Sequence, residues 1–160
     1  MSLGLDEIKG KEVERNREVD ASYGALRIIW MAILAGVVLL FVVTRVIEPS
    51  AVAGGSTLFW ALAALGLTTF GASFLLKAKL RKQGVEKRKV ELVRSAYILA
   101  FALCEATGLL GLAAHLVTGV QQYYFLFVLS GFGILLHKPQ RDDLLAAING
   151  GAIWEARKND

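Results

Sequence analysis

The sequence is poor in the residues from which catalytic and metal sites are commonly built. Its 160 residues include one cysteine, Cys104, two histidines and two prolines. A single cysteine excludes an intrachain disulfide, and the two histidines lack the ligand spacing of a metal site. The sequence also lacks a phosphate-binding Gly-Lys-Thr loop, a dinucleotide fingerprint and a zinc-type His-Glu helix. We therefore expect no catalytic residues, no cofactor and no metal, and we do not expect an enzyme.

Charge is missing from long stretches of the chain, although charged residues make up 20% of it. Asp, Glu, Lys and Arg are absent from 28–44 and 51–76 and, apart from Glu105, from 95–136. A helix of about 20 apolar residues crosses the ~30 Å hydrocarbon core of a bilayer. The pattern predicts an all-α polytopic membrane protein with four transmembrane helices, at about 25–47, 56–77, 93–117 and 121–137.

The charged residues define the remaining segments. We expect a charged tail over 1–24, a basic loop over 78–92 inside a transmembrane domain of 25–138, and a second tail over 139–160. Every lysine and arginine except Arg45 lies in or beside these segments, which four helices place on one side of the membrane. The positive-inside rule makes that side the cytoplasm, so both termini are expected there, in an inner or plasma membrane. The basic loop can also attract anionic lipid head groups. A net charge of +4 distributed in this way does not predict a nucleic-acid partner.

Two segments have alternative interpretations. Arg27, the apolar run after it and Ala51-Val52-Ala53 loosely match a signal peptide with its cleavage site. The run is longer than usual and follows a charged tail, so a retained helix is expected. In the C-terminal tail, a helical spacing of apolar residues predicts a short amphipathic helix, which lies on the membrane surface or packs on a partner. These residues are Leu144, Leu145 and Ile148.

Glu105 is the one carboxylate inside a predicted span, about twelve positions into the third helix. A charge at the bilayer centre costs at least ~2.5 kcal/mol on insertion scales. Two roles remain open: an interhelical hydrogen bond, for which Thr68, Thr69 and Thr107 are expected partners, or the binding of an ion. Small residues recur on the same helix, mostly at every fourth position, and predict a helix-packing face. This face consists of Ala96, Ala100, Cys104, Gly108 and Gly111.

The stretch from Arg94 to Leu112 resembles the second helix of the proteolipid (c) subunit of rotary ATP synthases. In that family, small and apolar residues precede Ala-Leu-x-Glu-Ala, and Gly-Leu follows five residues after that alanine. The residues at these places here are Ala102, Leu103, Glu105, Ala106, Gly111 and Leu112. The resemblance implies a helical hairpin with a polar loop on the cytoplasmic side. It also implies that Glu105 carries the ion.

Two functions are expected on these grounds. The first is a small, non-enzymatic integral membrane protein that acts as an oligomer or as an accessory subunit of a membrane complex. Its partners are then the lipid bilayer and copies of itself or other membrane subunits. The alternative is a proteolipid-like bundle that binds a proton or a sodium ion at Glu105 and takes part in ion transport. His115, near the end of the third helix, is interpreted as an interfacial residue in preference to a relay group.

Overall fold

The computed structural model describes residues 3–49 and 55–149, and this part of the chain is all-helical. The helices it contains are α1 (Leu3–Val43), α2 (Gly55–Glu86), α3 (Val90–Thr118), α4 (Tyr124–Leu136) and α5 (Arg141–Asn149). A single 3-10 turn at Gln121–Tyr123 precedes α4. The all-α prediction is therefore confirmed. Ala51-Val52-Ala53, the cleavage-site match of the signal-peptide alternative, lie outside the described ranges, as does the part of the C-terminal tail after Asn149.

Three of the helices are long and apolar enough to cross a membrane: the Asn16–Val43 part of α1, and the whole of α2 and α3. The fourth apolar helix is shorter and, with its 3-10 turn, covers Gln121–Leu136. The 13 residues of α4 itself extend over ~20 Å at ~1.5 Å per residue. The described part of the chain is thus a membrane-type helical bundle in which three helices are long and apolar enough to span a bilayer.

The charged segments contain more helix than the residue pattern predicted. α1 begins at Leu3, so the described part of the segment 1–24 joins the first apolar run in one helix of 41 residues. Similarly, most of the predicted loop 78–92 is helical, and the turn at 87–89 contains Arg88 with φ 53°. Lys, Arg, Glu and Gln are good helix formers. Their appearance marks where the chain leaves apolar surroundings, but it does not mark where a helix ends.

α3 is the central helix of the bundle. It packs along α2 on one flank, and on α4 and α1 with its other faces. One hydrophobic cluster joins α1, α3 and α4 around Val37, Cys104 and Phe127. A second cluster joins α1, α3 and α5 around Val19, Val93 and Leu144. The end of the bundle that carries α5 and the α2–α3 turn is the terminal end, and the opposite end is the distal end.

α5 coincides with the short helix expected in the C-terminal tail. Its Leu144 and Ala147 are fully buried against α1 and α3, and Leu145 and Ile148 pack beside them. α5 therefore packs on helices of its own chain, a setting that neither sequence alternative named. The apolar face of α5 covers the terminal end of the bundle.

A glycine in the left-handed conformation ends α3. Gly119 has φ 63°, and its N–H donates to the carbonyl of His115 at 3.2 Å. This is a common helix C-cap, and a residue with a Cβ would be strained there. The chain reverses at this cap, so that α4 packs back along α3.

Candidate functional site

The packing face predicted on α3 is buried. Its members Ala96, Ala100, Cys104, Gly108 and Gly111 are all shielded by neighbouring helices. A Cβ built on Gly108 would lie 3.0 Å from Ser130 Oγ, and one built on Gly111 would lie 3.1 Å from Leu126 Cβ. Because both contacts are to α4, the small residues allow α4 to approach α3 closely.

Hydroxyl groups in the apolar part of the bundle have hydrogen-bond partners. Ser130 donates to the carbonyl of Cys104 at 2.6 Å. The hydroxyls of Thr69 and Thr107 lie 3.0 Å apart, and Thr68 donates to the carbonyl of Ala64 at 2.8 Å. An unpaired polar group in hydrocarbon costs several kcal/mol, so this pairing is what a membrane interior requires. The three threonines expected beside Glu105 are therefore engaged elsewhere.

Glu105, unlike these hydroxyl groups, lacks a hydrogen-bond partner within the described chain. It lies near the midpoint of α3, is half-buried, and faces α1. On α1, a Cβ built on Gly36 would lie 3.9 Å from Glu105 Oε1. Within residues 3–49 and 55–149, no group forms a hydrogen bond or an ion pair with this carboxylate.

The flank of α3 that carries Glu105 is open to the surroundings. Ala102, three residues before Glu105, and Leu109, four residues after it, are both exposed. Residues at these spacings lie above and below one another on a helix. The carboxylate therefore lies at the edge of the α1–α3 contact and not inside it, where a group from outside the chain can reach it.

A second polar cluster joins α2, α3 and α5 at the terminal end. The Tyr97 hydroxyl donates to Asp143 Oδ2 at 2.6 Å and accepts from the backbone N–H of Gln140 at 3.2 Å. Arg81 Nη1 lies 3.2 Å from Asp143 Oδ1. Lys77 Nζ lies 4.2 Å from the centroid of the Tyr97 ring, within the range of a cation–π contact. These contacts hold α5 on the bundle through Asp143.

Two hydrogen bonds, one partly buried and one buried, fix the end of α4. Trp30 Nε1 donates to the carbonyl of Ile134 at 2.7 Å, in the last turn of α4, where carbonyls lack helical partners. Ser73 Oγ and His137 Nε2 lie 3.0 Å apart, and both residues are fully buried. Ser73 also donates to the carbonyl of Phe70 at 2.6 Å. His137 must then donate to Ser73, because a hydroxyl has one hydrogen, so the pair joins α4 to α2 and does not form an activated nucleophile.

His115 lies at the distal end of α3. Its Nε2 is 2.9 Å from the carbonyl oxygen of Ile47, and because a carbonyl only accepts, the ring N–H donates. The His115 ring packs on the Tyr123 ring with centroids 4.4 Å apart. The Tyr123 hydroxyl lies 3.3 Å from Thr44 Oγ1. These contacts attach the segment after α1 to the distal ends of α3 and α4.

Sequence reasoning did not single out Trp30, His137 or Asp143. Each has a polar group near a point where an apolar run begins or ends. That position is the sequence feature from which a role in the contacts between helices could have been predicted. Their partners are far away in the chain: Trp30 and Ile134 are 104 positions apart, and Tyr97 and Asp143 are 46 apart. Spacing alone does not reveal pairs of this kind.

Comparisons with known proteins identify no relative. No protein-family model, curated protein or solved structure matches the chain. The function is therefore inferred from the geometry of the bundle.

Proposed function

We propose that the protein is a small integral membrane protein that works as a subunit of a larger assembly, and that Glu105 is a contact of that assembly. The assembly consists of copies of this chain or of this chain with other membrane proteins. The observation that supports it is the partly exposed carboxylate at the centre of α3 without a partner in the described chain. Leaving such a group facing lipid costs at least ~2.5 kcal/mol. A hydrogen-bond donor of a neighbouring subunit removes that cost.

In this proposal α4 is the fourth transmembrane helix. It is shorter than the hydrocarbon core, and a bilayer adapts to a short span by thinning locally at a modest cost. Tyr124 opens α4 and is exposed, as expected of an interfacial anchor. Within residues 3–49 and 55–149, every lysine and arginine except Arg45 lies on the terminal-end side of the apolar runs. The positive-inside rule then assigns the terminal end, with both chain termini, to the cytoplasm of an inner or plasma membrane.

Cysteine cross-linking tests whether the flank beside Glu105 is a contact. Cys104 is buried, and it is first replaced by alanine so that single cysteines can be introduced elsewhere. Ala102→Cys places a thiol on the exposed flank of α3, and Val128→Cys places one on α4, where Val128 is 65% exposed. We expect cross-linked species from native membranes for Ala102→Cys only. Equal cross-linking at both positions would argue against a specific contact at Glu105.

Substitution of Glu105 separates hydrogen bonding from apolar packing. Glu105→Gln keeps the capacity to form hydrogen bonds, so assembly should remain nearly intact, whereas Glu105→Leu should weaken it. Interhelical hydrogen bonds in membranes are worth ~0.6 kcal/mol on average and up to ~1.7. Association of the leucine variant, measured by energy transfer in liposomes, should therefore be roughly three- to twentyfold weaker. Unchanged association would remove Glu105 from the contact.

The second function that we propose is ion binding at Glu105, as in proteolipid subunits. It is supported by the same unpartnered carboxylate, together with the resemblance of residues 94–112 to the ion-carrying helix of that family. The glycine repeat of the family's first helix has no counterpart, since residues 58–76 contain only Gly66 and Gly71. This function requires that Glu105→Gln abolishes proton or sodium flux while assembly is retained.

Labelling with a hydrophobic carbodiimide distinguishes the two functions. Such reagents modify protonated carboxyl groups in apolar surroundings, and mass spectrometry locates the product. Labelling of Glu105 that fades as pH rises, or that sodium prevents, would support ion binding. No labelling at any pH in native membranes would support a carboxyl group held in a subunit contact.

A further inference from the structure

An open polar cavity lies at the distal end of the bundle. It lies between the segment after α1 and the α3–α4 connection and has a volume of about 650 Å³. This is within the ~300–1,000 Å³ typical of ligand pockets. Its lining includes Arg45, Glu48, His115, Gln121 and Tyr124.

Buried contacts fix the walls of this cavity. Thr44, His115 and Tyr123 are each at most 8% exposed. The hydrogen bond from His115 to the Ile47 carbonyl, at 2.9 Å, holds the segment that carries Arg45 and Glu48. Thr44 also donates to the carbonyl of Phe41 at 2.6 Å, which tightens the end of α1. The charged side chains are therefore presented from a segment anchored to α3.

The cavity carries one positive and one negative side chain that do not neutralise each other. Arg45 and Glu48 are three residues apart, and both are exposed. Within the described chain neither forms an ion pair, and the Arg45 guanidinium instead lies 5.0 Å from the centroid of the Phe41 ring. Both charged residues line the cavity, and neither charge is neutralised by an ion pair within the described chain.

We propose that this cavity binds a zwitterionic phosphoethanolamine head group, with the phosphate at Arg45 and the ammonium at Glu48. The planar guanidinium of arginine matches phosphate oxygens in a bidentate geometry, and a carboxylate accepts the N–H groups of a primary ammonium. Tyr123 and Tyr124 line the same cavity. Tyrosines are enriched at the depth of lipid head groups, so a membrane lipid reaches the cavity from the side. This site is separate from Glu105 and does not depend on its role.

Lipid retention in nanodiscs of defined composition tests the site. The protein is reconstituted with equal amounts of phosphatidylethanolamine, phosphatidylcholine and phosphatidylglycerol of the same acyl chains, and native mass spectrometry counts the lipids that stay bound. We expect phosphatidylethanolamine to be retained at least tenfold over the other two. Choline has no N–H to donate to Glu48, and phosphatidylglycerol has no cation. Equal retention of the three lipids would overturn the proposal.

Charge-neutralising variants test whether Arg45 binds the phosphate and Glu48 binds the ammonium of the head group. Arg45→Gln should reduce retention of phosphatidylethanolamine at least tenfold. Glu48→Gln should abolish its preference over phosphatidylglycerol. Lys79→Gln, at an exposed position of α2 toward the terminal end, is the matched control and should change neither. Retention unaffected by Arg45→Gln, or affected equally by Lys79→Gln, would show nonspecific attraction and refute the site.

Soluble phosphoethanolamine identifies the source of the ligand. If millimolar amounts displace bound phosphatidylethanolamine, the cavity recognises the head group alone, and the free compound is also a ligand. If they do not, the glycerol and acyl chains contribute and the ligand is a bilayer lipid. Both results support the head-group site, provided that the Arg45 dependence is observed.

Discussion

Replacing Tyr97 with phenylalanine tests how α5 is held on the bundle. The change removes a single hydroxyl, which donates to Asp143 and accepts from the backbone of Gln140. The ring remains to pack on Phe101 and beneath Lys77. The variant therefore isolates the polar attachment of α5 from its apolar one.

The size of the effect can be estimated from these contacts. A hydrogen bond to a charged acceptor contributes ~1.5–3 kcal/mol. Asp143 keeps Arg81, whose side chain is 50% exposed, so that pair contributes only ~0.2–1 kcal/mol. Gln140 is exposed, and its N–H turns to water at little cost. The net loss is ~2 kcal/mol, which corresponds to roughly 30-fold more frequent opening of α5.

Hydrogen exchange in nanodiscs, read by mass spectrometry, measures this opening. Amides of α5 should exchange roughly 30-fold faster in Tyr97→Phe, whereas amides of α3 and α4 in the apolar region should not change. Tyr124→Phe, at an exposed tyrosine of the distal end, is the matched control. If α5 exchange is unchanged in Tyr97→Phe but faster in Leu144→Ala, apolar contact alone holds the helix and the estimate is refuted.

Two further predictions concern α4 and are checked by thermal unfolding in detergent. Trp30→Phe should lower stability by ~1–3 kcal/mol, because the Ile134 carbonyl is left without its donor. Gly133→Ala should cost ~1–3 kcal/mol, because its Cβ would lie 2.7 Å from Cys104 Sγ.

Each of these predictions has a matched comparison. Trp60→Phe removes the same group from a ring that is 68% exposed, and it should be nearly neutral. Gly131→Ala adds a Cβ that meets nothing within 4 Å, so a loss equal to that at Gly133 would contradict the packing account.

The apolar helices were predictable because hydrophobicity alone determines both that these residues avoid water and where along the chain the helices lie. Residues 55–76, which carry no charge, lie within α2, and residues 95–117, where Glu105 is the only charged residue, lie within α3. The terminal extensions of α1 and α2 were not predictable in the same way. Their charged residues are good helix formers and are also well solvated, so they are compatible with a helix and with a loop. Composition therefore does not indicate where the helix ends.

Glu105 could be found from the sequence because it stands alone in an apolar run, but its surroundings could not. The threonines expected as partners bind each other or their own helix, and Glu105 instead lies beside Gly36 of α1. The rotation of α3 decides which neighbour each side chain meets. That rotation is determined by the packing of α3 on α1, α2 and α4 together. It therefore cannot be predicted from the sequence of any single segment.

The continuity of α1 has a mechanical consequence. Val19 packs in the same cluster as Leu144 of α5, and Gly36, further along the same unbroken helix, lies beside Glu105. The two positions are ~26 Å apart along the axis at ~1.5 Å per residue, so a tilt of roughly 5° about Val19 displaces Gly36 by ~2 Å. α1 therefore couples the position of α5 to the distance between Gly36 and Glu105. A partner that displaces α5 at the terminal end would change the gap beside Glu105 without touching it.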